Sequence, residues 1–416
     1  MINRKIVDYL NSNNLIVNSQ HGFQAGKSTD TILLSFYDYV TDCLDRNKVI
    51  DAIFFDFQKA FDTIPHNVLI NKLLSFGFRG QALHWIKDFL SNRHQRVRIG
   101  NVCSRSLPVT SGLIQGSVLG PTLFNIFIND IDTRLKHSSI LKYADDIRIF
   151  NSSPKQLSEL LNLKIQTQND IDSLVRWASD SGMTFNVEKC FSVSFGSSDF
   201  LRTYSIDNTV IPVLSSFKDL GILVNSSLSF NSHIDTITAK SFNRLALINK
   251  VFRNKTKYSI TKLYKAYVRP ILDYGSIIWY PYTSTNIGKL ECVQRRKCRM
   301  VPDFRTYPYH VQLKSLGLLS LQARRIRFQL ISIYKIFKGF TKINFDDLFE
   351  RKKTHNTRAH SCHIIPKHAT KNYRLNFFTV SAIRHWNSLS NDDVSVSTTN
   401  LFKVRVDAFL LKKNIL

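Results

Sequence analysis

Two apolar rhythms alternate along the first 220 residues. Ala52-Ile53-Phe54-Phe55 is a continuous apolar run, the pattern of a buried strand, and it stops at Asp56. Short β-rich arms, Ile140-Leu141-Lys142-Tyr143 and Ile147-Arg148-Ile149-Phe150, flank Ala144-Asp145-Asp146, as in a hairpin carrying an acid pair at its tip. Residues 191–196 alternate as another strand, and 95–99 as a hairpin strand with one wet face. Helical spacing lies between these runs. A helix is expected after Ser28 or Thr29 as N-cap, and two more over 68–90 around the turn at Gly77-Phe78-Arg79-Gly80. The helix opened by Pro121 is apolar on nearly every face (Leu123, Phe124, Ile126, Phe127, Ile128), so it must be buried. Residues 157–177 read as a helix packed behind the sheet. Beyond about residue 225 strand signals fade. Basic amphipathic helices are expected over 232–255 and 258–273, the second bent or ended near Pro270, with aromatic residues between the charges. Residues 1–20 are polar around one helical patch at Ile6 to Leu10 and carry no functional motif. The succession predicts an α+β fold, an antiparallel sheet backed by helices and followed by a mostly helical region.

Charge divides the chain where the strands stop. Residues 221–416 hold 34 of the 57 Lys and Arg but only 10 of the 31 Asp and Glu, so nearly all of the formal +26 lies there. A one-sided excess of this size favours a polyanionic partner over simple solubilisation. With 43% hydrophobic and 12% aromatic residues, the 416-residue chain can build the cores of two or three domains. The six cysteines are scattered without a disulfide framework, which implies a reducing compartment. Cys292, Cys298, Cys362 and His363 lack zinc-finger spacing. No apolar run reaches about 18 residues and no signal-peptide core is visible, so an intracellular protein without a membrane partner is expected, in nucleus or cytoplasm.

Candidate chemistry concentrates at the strand ends. Adjacent like charges at Asp145 and Asp146 repel, and a divalent cation would neutralise them. Asp56 at the end of a second strand supplies a third carboxylate. Three carboxylates suit two Mg²⁺ ions about 3.5–4 Å apart, with Mn²⁺ as a possible substitute, the equipment of nucleotidyl transfer. The Phe57 carbonyl would help. In the loop Ser111 to Pro121, Gly116 lets the backbone approach a substrate, and Gln115 offers a donor and an acceptor to a nucleotide or template base. Gly22 to Thr29 imitates a phosphate-binding loop but has three residues between its glycines where that motif has four.

Three blocks in order, Phe54-Phe55-Asp56-Phe57-Gln58-Lys59-Ala60-Phe61-Asp62, Gln115 to Pro121 and Tyr143-Ala144-Asp145-Asp146, resemble the reverse transcriptases of non-LTR (LINE-type, jockey-like) retrotransposons. The resemblance runs from about residue 18 to near the C-terminus and implies a right-hand polymerase. Fingers and palm would occupy 1–224 (fingers about 18–50 and 65–110, palm about 50–64 and 111–224), a helical thumb and connection 225–340, and a basic C-terminal region 341–416. It implies RNA-directed DNA polymerase activity: Asp56, Asp145 and Asp146 as metal-binding catalytic residues, and Lys189 as the lysine that protonates pyrophosphate. It also places Lys27 near the incoming triphosphate, Phe61 under the sugar, and Leu220-Gly221 in a hairpin gripping the primer. Ile114 stands where the family usually has Pro, and Gln24 where it more often has Arg. Implied partners are an RNA template, a DNA primer or target DNA, dNTPs, and an endonuclease from an upstream region missing here. Two alternatives stand beside it: a catalytically silent nucleic-acid-binding remnant, and a group II intron maturase-like polymerase, which shares the acids but not the Gln115–Pro121 spelling as closely.

Overall fold

A computed structural model describes residues 1–196, 202–253, 255–304, 306–352, 360 and 362–413, with only the backbone of residue 303. Part of the C-terminal region expected at 341–416 therefore lies outside the described residues. The chain forms two compact units, residues 1–32 with 47–215 and residues 33–46 with 216–416.

In the first unit the elements follow in order: α1 (Ile2–Ser12), the first turn of α2 (Thr29–Asp45), β1 (Val49–Phe55), α3 (Ala60–Thr63), α4 (His66–Ser75) and α5 (Gly80–Leu90). Two short ladders come next, β2 (His94–Gln95) with β5 (Leu107–Pro108) and β3 (Arg98–Ile99) with β4 (Val102–Cys103). Then come α6 (Gly120–Phe127), β6 (Ser139–Tyr143), β7 (Asp146–Ser153), α7 (Leu157–Asp180), β8 (Phe191–Phe195) and a short ladder of β9 (Ser205–Ile206) with β10 (Thr209–Val210). The main sheet has the order β6-β7-β1-β8, antiparallel throughout. Its central strand β1 is covered on both faces, which is why its sequence is a run and not an alternation. The one polar residue in β1, Asp51, is buried with Arg202, Tyr204 and Ser194 as hydrogen-bond partners, so its charge is compensated. Helix α7 packs behind the sheet as expected, its Ile171, Leu174 and Trp177 joining Ile53, Phe55, Phe57 and Phe127 in one core. Helix α6 is buried along its whole length.

Two local expectations change. The alternating segment 95–99 does not form one strand: it breaks into two-residue ladders whose side chains are all exposed, because no core residue covers either face. Over 258–273 the bend is a π-helical turn, Tyr264–Val268, between α9 (Lys257–Leu263) and α10 (Arg269–Asp273). Pro270 has no N–H for the usual i−4 bond, and widening the preceding turn accommodates that loss without ending the helix.

The second unit is helical apart from small hairpins, chiefly β11 (Ser216–Asp219) with β12 (Ile222–Asn225). The described part of its C-terminal segment is well packed. Arg374, 1% exposed, bonds Asp38 and Thr41, and the Asp45 carboxylate accepts from the backbone N–H groups of Thr370 and Lys371. Trp386 and Phe402 are buried, with Phe402 stacked 4.0 Å from Tyr334.

Buried histidines make stability pH-dependent, and the two shifted furthest are His21 in the first unit and His233 in the second. Burial, with the nearby charges of Lys27 and Arg148, lowers His21 to about 3; burial, with Lys240, lowers His233 to about 4. Both are neutral when folded and titrate near 6.5 when unfolded, so their contribution is complete above pH 6.5 and lost as pH falls toward 4 and then 3. Urea unfolding at pH 7.5 and pH 5.0 should differ by roughly 1–2 kcal/mol per histidine, with the His21 share absent from a folded His21→Gln variant.

Candidate active site

The site begins with strand register. Phe55 pairs with Ile147 across β1 and β7, and Tyr143 pairs with Asp146 across β6 and β7. Continued by one residue, the first register sets Asp56 opposite Asp146 at the same edge of the sheet. Asp145 lies in the two-residue turn before Asp146, and its partner in that turn, Ala144, has φ +56°. The acid pair is thus split, one carboxylate in the turn and one on the first residue of β7.

Burial lifts the Asp145 carboxyl above the ordinary carboxylate range, and the Asp56 charge pushes the same way, against the pull of a backbone hydrogen bond. Lys189 is the countercharge: its Nζ lies 3.3 Å from Asp56 Oδ2. That oxygen is buried and accepts no hydrogen bond. The backbone at Asp56 is held by the segment ahead of β8, since Asn186 N–H donates to the Asp56 carbonyl at 2.7 Å and Gln58 N–H to that of Thr184 at 2.9 Å. Behind it, the Asp56 N–H points to Cys190 Sγ at 3.5 Å. Burial pushes the Cys190 thiol up to about 11, so it stays neutral beside the acid.

The Gly-rich loop is held by the segment that follows Asp56. Leu113 N–H donates to the Phe61 carbonyl at 2.7 Å, Gly112 N–H to that of Ile64 at 2.8 Å, and Gln115 Nε2 to Asp62 Oδ1 at 2.7 Å. Phe61 stacks on Phe124 at 4.5 Å and meets Phe23 edge-on at 6.4 Å. Phe57 is buried against Phe185 at 4.6 Å, so its side chain is core. Gly116 has φ +79° and open space where a Cβ would stand. Asp56, Phe57, Phe61, Gln115, Gly116, Asp145, Asp146 and Lys189 thus share one neighbourhood in the first unit.

Two other expectations fall elsewhere. Lys27, also in the first unit, donates to the carbonyls of Asn18 and Gln20, the latter at 2.9 Å. Leu220 (φ +41°) and Gly221 (φ +93°) form the turn between β11 and β12 in the second unit, where Tyr274 Oη donates to the Leu220 carbonyl at 2.6 Å. Sequence patterns missed Asp62 as the anchor of Gln115, Cys190 as the backing of Asp56, and Gln20, whose Oε1 accepts from Ala144 N–H at 3.0 Å. None of the three has a spacing or composition signal; each acts through a contact distant in sequence.

Among the described residues no three His, Cys, Asp or Glu side chains are gathered into a group that could hold a metal ion. Asp56, Asp145 and Asp146 nevertheless have the donor chemistry of a hard divalent cation: carboxylate oxygens, one of them buried without a hydrogen bond, at a place where negative charges disfavour one another.

Residues 1–242 match the family model described as reverse transcriptase (RNA-dependent DNA polymerase). The chain is 26% identical over 293 residues to the RNA-directed DNA polymerase from mobile element jockey of Drosophila melanogaster, covering 68% of this chain and 31% of that protein. The jockey polymerase of Drosophila funebris is 27% identical over 295 residues, with coverage of 68% and 31%. A Pol polyprotein from the type-1 retrotransposable element R2 of Popillia japonica is 24% identical over 203 residues, covering 44% and 32%. The chain thus spans about a third of the length of these relatives. Among solved structures, apo telomerase from Candida tropicalis matches with a TM-score of 0.44 at 11% identity, covering 81% of this chain and 58% of that one. No helix among the described residues is long and apolar enough to cross a membrane.

Gly112 provides a check on the packing of the loop. It sits at φ +82°, and a Cβ there would come within 2.5 Å of the Asp62 backbone. Gly112→Ala should therefore destabilise the first unit by more than about 1 kcal/mol in urea unfolding, because both the backbone conformation and the close approach need glycine.

Proposed function

Because the chain belongs to the reverse transcriptase family, with the right-hand polymerase fold which that membership carries, we propose that it adds dNMP units to a primer 3′-hydroxyl as directed by an RNA template, as the polymerase part of a non-LTR retrotransposon. The observation that supports this best is the pairing register that sets Asp56 opposite Asp146, with Asp145 in the adjoining turn and Lys189 in reach of Asp56. Enzymes of this family use divalent metal ions. In our reading Asp56, Asp145 and Asp146 hold two Mg²⁺, whose chemistry is to activate a hydroxyl and neutralise charge on the leaving oxygens.

The chain's own groups supply the rest. Lys189 carries a proton at Nζ and is the general acid for departing pyrophosphate; its pairing with Asp56 keeps that ammonium at the site. Phe61, held between Phe124 and Phe23, is the ring beneath the incoming sugar. Gln115, oriented by Asp62, and Gly116 face the nucleotide, and Lys27 meets its triphosphate. In the second unit Leu220 and Gly221 touch the primer, and the basic surface binds phosphates through counterion release. Residues 1–224 are assigned to fingers and palm, 225–340 to thumb and connection, and 341–416 to the basic C-terminal region. The endonuclease activity that a complete element needs would come from another part of it.

Primer extension on an RNA template with Mg²⁺ tests this reading. Asp56→Asn and Asp145→Asn should each lower extension by at least about a thousandfold while leaving duplex affinity and its salt dependence within about twofold, since the metal-binding charge goes and the basic surface stays. Near-normal extension by either variant would overturn the metal-site assignment.

Phe61 has a separate readout. Without the ring there is room for a 2′-hydroxyl, the group that distinguishes an rNTP from a dNTP. Phe61→Val should raise rNTP incorporation relative to dNTP on the same primed template, whatever happens to the total rate. A folded variant with an unchanged ratio makes Phe61 a packing residue only.

A further inference from the structure

We propose that Gln20 is a positioning residue for the turn that carries Asp145 and Asp146. The inference rests on the catalytic reading of that turn. The Gln20 side chain is buried, with 1% of its surface exposed, and lies against the two peptide groups that flank Ala144 in the turn. Its Oε1 accepts from Ala144 N–H at 3.0 Å and from Gly22 N–H at 2.7 Å, and its Nε2 donates to the Ala144 carbonyl at 3.3 Å. Two N–H donors converge on one end of the amide and a carbonyl faces the other, which fixes which end is oxygen. The side chain thereby satisfies both backbone groups of Ala144, at the edge strand of the sheet.

Ala144 needs such a partner. Its φ of +56° is a conformation that non-glycine residues seldom adopt, and the next residue is Asp145. Buried peptide groups left without partners would favour a different turn, and any change of backbone at Ala144 redirects the Asp145 carboxyl. Gly22 closes the clamp from the other side, because a Cβ on it would come within 2.3 Å of the Ala144 nitrogen.

Gln20 is itself held on every side. Its neighbours pair with β6, Lys142 N–H donating to the Ser19 carbonyl at 2.8 Å and His21 N–H to the Lys142 carbonyl at 2.7 Å. The Gln20 carbonyl accepts from Lys27 Nζ at 2.9 Å and Gln24 Nε2 at 3.0 Å, and Asn125 Nδ2 donates to the Gly22 carbonyl at 3.0 Å. The His21 ring is bonded to Thr31 Oγ1 at 2.8 Å. A segment anchored at so many points transmits its position to the turn through the Gln20 amide. A strand edge with only the β6–β7 ladder would leave the turn's own peptide groups to water.

The test uses the whole chain with Gln20→Met, which keeps the length of the side chain and removes its hydrogen bonds. Three quantities are measured: hydrogen exchange of the peptide containing Ala144, thermal midpoint, and primer extension. Exchange at Ala144 should quicken by at least about tenfold, and kcat should fall by about tenfold to a hundredfold, the effect expected when a reacting group is misplaced by a fraction of an ångström. The dNTP KM and duplex affinity should stay within about twofold, as for the loss of an interaction made at the chemical step. If Gln20→Met does not fold, Gln20→Asn keeps the amide but shortens the side chain by one methylene, and the same results are expected. Unchanged exchange at Ala144, or quickened exchange with parental kcat, overturns the proposal. Asp145→Asn is assayed in parallel: if it extends primers normally the catalytic reading of the turn fails, while the exchange data still decide whether Gln20 holds the turn.

Discussion

Everything at the candidate site depends on the antiparallel pairing of β1 with β7. Phe55 faces Ile147 in that register, and this brings together acids from positions ninety residues apart in the chain. A shift of one residue would turn the apolar side chains of β1 from one covered face to the other and move Asp56 away from Asp146. The register is defended from both sides, by β7 and by β8, and by the buried ion pair of Asp51 with Arg202. An isolated polar group in an otherwise apolar strand has one satisfied position only. Asp51 therefore acts as a pin on the strand whose end carries Asp56.

Charge is the second constraint. Concentrating carboxylates at one sheet edge disfavours the folded state unless something offsets their repulsion; the Asp145 carboxyl is raised chiefly by burial, and the Asp56 charge adds to it. Lys189 offsets part of that repulsion through Asp56. Cys190, neutral and buried, supplies a polarisable neighbour at the Asp56 backbone without adding charge.

The second unit follows a different logic. Its helices carry most of the basic excess, yet several cations are engaged internally: Arg324 with Asp273, Arg327 with Asp407, and Arg374 with Asp38. Counting charges along the chain therefore overstates the cations free to meet a polyanion. The densest basic stretch, Arg295-Arg296-Lys297, is split in the same way, with Lys297 fully buried against Thr261 and Tyr264 while Arg295 and Arg296 border a cavity of about 1140 Å³ between α8 (Asn231–Val251) and α11 (Ser284–Cys298).

The sequence by itself determined the strands of the main sheet and the main helices. Apolar period is a local property, so the β1 run, the arms around Asp145-Asp146 and the all-apolar face of α6 were legible without knowing what they touch. The three ordered blocks likewise carried the family. What only the tertiary structure decided are the contacts between segments far apart in the chain. The polar segment 1–20 gave no functional signal, and Gln20 gains its role solely from the turn 124 residues later. Asp62 becomes the anchor of Gln115 only when the loop folds back, and the segment 95–99 loses its strand because nothing packs on it. A side-chain amide has no periodicity. Its partner is fixed by where the backbone brings it, and that is settled by burial and pairing over the whole unit, which no stretch of sequence contains alone.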